Sequence, residues 1–363
     1  MFKAARPSWS GKCSRDIVDI TLYQNWQAAG TLVPGWILIP ISWRCVVEIL
    51  PRTASGSNPK KFMLREMMDL VANRDRSGRY KYAMLMMQSN PLQAGTVARS
   101  KRVGWEGNLN DVFGADVTIF DSRLQGLFWA ARGDGRPPFP AEMVPVPLLR
   151  PHVKAAQRMR VRQGTPHSGV FWAGLCHNSG PRYLLASTLH PSALYNFSGV
   201  HKCKRKPPSE FSEGTFMAQV SAHAWTLAPR GTYPAAFAMA ETLALRRLPV
   251  YIADFKAADS KERKAAEANG GMDGLDTFPH PIEGRVVDGA EMTKYFPYAD
   301  VLDWTKLAVA IDVSQLDQLG GILEAKEKEL PDMLAYVAEK GGMFTTKYLG
   351  TYMEQWMMHH QPK

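Results

Sequence analysis

Short apolar runs recur along the chain, each closed by proline, glycine or a polar cluster, with helix-spaced apolar residues between them. In the first part, Trp36-Ile-Leu-Ile-Pro-Ile-Ser-Trp43, Tyr80–Met87, Val117–Phe120 and Val144–Leu149 have the length and side chains of buried strands. Phe62, Met63, Met67, Leu70 and Val71 are spaced as one face of a helix. A short helix is expected between Asn108 and Val117, and Gly133–Pro140 is a loop by composition. Strands alternating with helices up to Leu149 predict an α/β domain over residues 1–150.

The same grammar continues. Gly169–Gly174 is a strand, and Pro181–Leu189 is a helix that Asn178 or Ser179 could cap. A helix over Ser212–His223 leads to strand Trp225–Ala228, which Pro229-Arg230-Gly231 stops. Pro234 opens a helix over Ala235–Leu245, and Pro249 ends it before strand Val250–Ile252. Lys256–Ala268 reads as an exposed helix and Gly270–Gly289 as an insertion loop. Strand Leu307–Val313 and helices Leu316–Glu329, Pro331–Glu339 and Met343–Met358 complete the pattern. Residues 151–342 therefore form a second α/β domain with an insertion at about 256–294, and residues 343–363 a helix that returns to the first domain.

Composition adds little to this picture except through charge. With 363 residues, 45% apolar and 21% charged, the chain has enough material for two cores. The 44 basic against 34 acidic residues give +10, which favours anionic partners. Gly35–Val47, the most apolar stretch, is shorter than the about 20 residues that span a bilayer. Met1–Asp19 is basic and polar with no apolar core behind it, unlike a secretory signal. Cys13, Cys45, Cys176 and Cys203 form no paired motif, and Cys176-His177 with His201 and Cys203 lacks zinc spacing, so no metal site is expected.

The candidate chemistry lies in the crossover Trp225–Ala253. A helix N-terminus facing strand C-terminal ends favours anions. Arg230 stands at that strand end, where a guanidinium adds positive charge and suits a phosphate. Glu241 shares the apolar face of Phe237 and Leu245 and needs donors such as sugar hydroxyls. An internal Arg230–Glu241 ion pair is the structural alternative. Asp121 falls at the end of its strand, the usual edge for a ligand, and is the candidate catalytic base, with a helix cap as its alternative. Two basic clusters, Arg158/Arg160/Arg162 and Lys202–Lys206, read as solvated surface or as a rim for a polyanion.

Leu227-Ala-Pro-Arg-Gly231, Phe237, Glu241-Thr-Leu-Ala-Leu245 and Leu248-Pro-Val250, followed by Tyr295-Phe-Pro-Tyr-Ala-Asp-Val-Leu-Asp-Trp304, resemble the donor-site signature of the exostosin-like glycosyltransferases, family 47. The resemblance implies two Rossmann-like domains facing a cleft, the GT-B architecture, with an acceptor-side first domain. It also implies a donor site of Arg182, Arg230, Gly231, Phe237, Glu241 and Tyr298. The activity implied is inverting transfer from a nucleotide sugar, with UDP as the nucleotide, to a glycan hydroxyl, in a Golgi protein; a chain without an anchor would instead be cytoplasmic. Ala236 and Ala238 stand where the family usually has Ser and Arg. No two aspartates are spaced Asp-x-Asp, so arginines and helix N-termini would neutralise the diphosphate and no metal or other cofactor is required. Two further readings remain: a glycan-binding protein that lost catalysis, motivated by Ala236 and Ala238, and, ranked last, a polyanion or nucleic-acid binder using the two basic clusters. No nucleic-acid module is recognisable.

Overall fold

The computed structural model describes residues 22–23, 26, 33–39, 69, 71–87, 114–122, 142–149, 166–173, 181–182, 185, 213–231, 235–253 and 292–362. The expected elements at 62–68, 133–140, 158–162, 202–206, 256–268 and 270–289 lie outside them. The chain is α/β with two four-stranded sheets. It divides into two compact units. One comprises Met1–Ser122, Pro137–Val144 and Gly350–Lys363, and the other Arg123–Arg136 and Pro145–Leu349.

The first sheet has the order β1 (Trp36–Leu38), β2 (Lys81–Met86), β3 (Val117–Asp121), β4 (Glu142–Pro145). β1 pairs β2, and β2 pairs β3, in parallel. Nearly all of β2 and all of β3 is buried, which is why both read as continuous apolar runs and not as alternating ones. β4 begins at Glu142 and ends at Pro145, earlier than the expected Val144–Leu149. Glu142 is recruited by Thr118, whose hydroxyl donates to its carboxylate at 3.3 Å, whereas 146–149 run on without ladder pairing.

An ion pair anchors the loops that enter β2 and β3. Arg74 donates from Nε to Asp116 Oδ2 at 2.6 Å and from Nη2 to Oδ1 at 2.5 Å, while its Nη1 reaches Val71 O. The guanidinium also lies 5.4 Å from the Tyr82 ring centroid. Gly114 leaves room for this pair, because a Cβ there would sit 2.7 Å from Asp116 Oδ1. Beyond the sheet, Trp356 meets Trp36 and Phe120 edge-on.

The second sheet has the order β5 (His167–Phe171), β6 (His223–Pro229), β7 (Leu248–Ala253), β8 (Val309–Asp312), every pair parallel. Strand order follows chain order, so the sheet is built across in one direction. Helix α1 (Glu213–Ala222) passes into β6 at His223 with no intervening loop. Met217 and Val220 of α1 pack with Phe171 and Leu245. Helix α2 (Phe237–Ala244) fills the β6–β7 crossover. It starts two residues later than the expected Ala235, because Ala236 is extended and serves as its N-cap.

α2 ends in a Schellman turn: Arg246 N–H donates to Leu243 O and Arg247 N–H to Thr242 O. The residue in the left-handed position is Arg246, with φ 58°, where glycine is usual. Arg246→Gly is therefore expected to raise the unfolding free energy by about 0.5–1 kcal/mol. Urea denaturation measures this, and a loss of stability would show that Arg246 packing against Gly341 outweighs the backbone term.

After β8 the chain forms a 3-10 turn, Val313–Gln318, then α3 (Leu319–Ala325), α4 (Leu330–Lys340) and α5 (Thr346–His359). This differs from the single helix expected over Leu316–Glu329. The Asp312 carboxylate accepts from Ser314 N–H at 2.9 Å, and Gln315 Oε1 accepts from Asp312 N–H at 3.1 Å. That capping box starts the tight turn directly at the strand end. No helix among the described residues is long and apolar enough to cross a membrane.

Candidate functional site

The C-terminal end of β6 gathers the first candidates. Leu227, Ala228 and Pro229 are buried and pair with Val250, Tyr251 and Ile252 of β7, running past the end of β5, so the chain leaves the sheet only at Arg230. The Arg230 N–H still donates to Ile252 O at 2.8 Å, which ties this exit to β7. The Arg230 side chain turns back and donates from Nη1 to Gly231 O at 3.0 Å, and the residue is only 7% exposed. Arg182 arrives from the helical segment behind β5. A Cβ built on Gly231 would lie 3.5 Å from Arg182 Nη2 and 3.9 Å from Ala235 O. Two guanidinium groups from different segments thus flank one glycine at the strand end.

α2 follows this exit. Its N-cap, Ala236, offers no side-chain hydrogen bond, and Ala236 O accepts from Met239 N–H. The first turn of α2 therefore presents backbone donors that no cap hydroxyl occupies. Phe237 is half-buried, and Glu241 lies one turn further on the same face at 3% exposure. The hydroxyls of Thr226 on β6 and Thr242 on α2 are buried with no hydrogen-bond partner among the described residues.

Tyr298 belongs to a later segment of the same unit. The expected Tyr295–Trp304 segment forms an aromatic chain in which Tyr251 of β7 meets Phe296 at 5.0 Å, Phe296 meets Trp304 at 4.9 Å, and Trp304 meets Phe344 at 5.8 Å. Tyr298 is fully buried against Phe344 and Tyr348, with φ 58° and its N–H donated to Pro145 O. The Trp304 indole donates to Pro297 O at 2.8 Å. Burial raises the pKa of the neighbouring Tyr348 hydroxyl, and the nearby Asp300 adds to this while Lys340 opposes it. At the end of the segment, the Asp303 carboxyl is held below its ordinary value, chiefly by the Thr305 hydroxyl. Through Phe296 the segment packs on β7.

Asp121 belongs to the first unit. It ends β3, opposite Met86 of β2, and is 1% exposed. Beside it, Ser122 donates from both N–H and Oγ to Met86 O. The structure thus brings Arg182, Arg230 and Gly231 together and sets Phe237 and Glu241 on the helix that follows; Tyr298 lies in a later segment of the same unit, and Asp121 ends β3 of the other unit. Arg247 was passed over in the sequence. It is buried before β7 and donates to Ser221 O at 2.8 Å and Arg246 O at 2.9 Å, with burial pulling its pKa down. It clasps the end of α1, away from the strand C-termini. Among the described residues no three His, Cys, Asp or Glu side chains come together as metal ligands.

Compared with known protein families and with curated proteins, the chain matches no family model and no curated sequence.

Proposed function

We propose that the second unit binds a nucleotide diphosphate and that the chain is a glycosyltransferase of the GT-B type. In this reading it transfers a sugar from a UDP-linked donor to a glycan hydroxyl, with inversion and without an obligatory metal. The observation that carries it is the convergence of Arg182 and Arg230 on Gly231 at the end of β6, ahead of the uncapped α2 N-terminus. A diphosphate is the group that two guanidiniums and backbone N–H donors would neutralise together. Ala236 is compatible with this: a serine cap would accept from the N–H groups that a phosphate oxygen needs. The carboxylate of Glu241 would take ribose hydroxyls. On the acceptor side Asp121 would remove the hydroxyl proton, which requires acceptor binding to uncover a carboxylate that is 1% exposed.

The test is UDP-induced thermal stabilisation. A ligand at a hundred times its Kd adds about 2.7 kcal/mol to a fold that binds it only when native. Wild type should gain this, and Arg230→Ala should lose it. Gly231→Ala separates binding from folding. Gly231 is outside the left-handed region and its Cβ would make ordinary contacts, so the variant should fold while its methyl fills the space beside Arg182. An unchanged melting temperature of the wild type with saturating UDP would overturn the proposal. Binding of UDP without hydrolysis or transfer from any nucleotide sugar would instead favour a glycan-binding protein that lost catalysis.

A further inference from the structure

We draw no further inference here: the strongest candidate, the two buried threonine hydroxyls of the β6–α2 crossover at Thr226 and Thr242, lies in the packed interior beneath the site already described, and nothing in the structure shows a ligand that would reach them.

Discussion

Asp116→Ala is expected to lower the unfolding free energy by about 3 kcal/mol, among the largest losses in the first unit. The reason is what remains afterwards. The Arg74 side chain is 2% exposed and would stay buried without its bidentate acceptor, and that desolvated charge dominates the loss. The low end of the range for a broken buried pair applies because the Asp116 side chain, at 20% exposure, is partly screened by water. Arg74→Met combined with Asp116→Ala removes the stranded charge while the methionine keeps much of the packing volume. The double variant should recover most of the loss in urea unfolding. If it is as unstable as Asp116→Ala alone, the pair matters through the shape of its loops and not through charge.

Trp356→Ala should cost about 3–5 kcal/mol, the range for removing a large buried aromatic. Trp356 sits with its ring centroid 5.9 Å from that of Trp36 and 5.5 Å from that of Phe120, so truncation would leave a cavity beside the first sheet. Its outer face is covered by His360, stacked at 3.8 Å. His360 is itself exposed, and His360→Ala should cost much less, on the order of 1 kcal/mol. Calorimetry of both variants and of Trp356→Phe distinguishes core packing from surface stacking. A cost below about 1 kcal/mol for Trp356→Ala would mean that the site collapses readily or that α5 repositions.

The β6–α2–β7 crossover was legible because its signals are local. The apolar runs Trp225–Ala228 and Val250–Ile252 lie within strands that are buried throughout, and Gly231 and Pro234 punctuate the sequence between them. The strands at Lys81–Met86 and Val117–Asp121 were legible for the same reason. Elements whose form depends on a partner were not. β4 starts early because Thr118, on another strand, engages Glu142. The turn at Val313–Gln318 is 3-10 because the Asp312–Gln315 box tightens it, although the apolar spacing from Leu316 onward suits an α-helix.

The site shows the same division. Arg230, Gly231 and Glu241 are candidates that one short stretch supplies, whereas the approach of Arg182 to Gly231 depends on how the segment behind β5 meets the exit from β6. Tyr298 shows the limit most clearly. An aromatic in a ligand-like motif reads the same whether it faces solvent or core. Only its contacts with Phe344 and Tyr348, far along the chain, reveal that its ring is enclosed.

The division of the chain between units has a consequence for the order of synthesis. The second sheet grows in chain order, so each strand after β5 meets a neighbour that has already been made. The first unit cannot finish that way. Its four strands emerge early, yet Trp356, which covers Trp36 and Phe120, lies in the closing segment Gly350–Lys363. Until that segment leaves the ribosome, the first sheet keeps an unfilled apolar face while residues 146–349, most of the second unit, are being translated. At about 5–20 residues per second, that interval lasts on the order of ten seconds or more. Of the two units, the one whose strands are made earlier is therefore completed later, and its newborn form is the one that more needs shielding from aggregation.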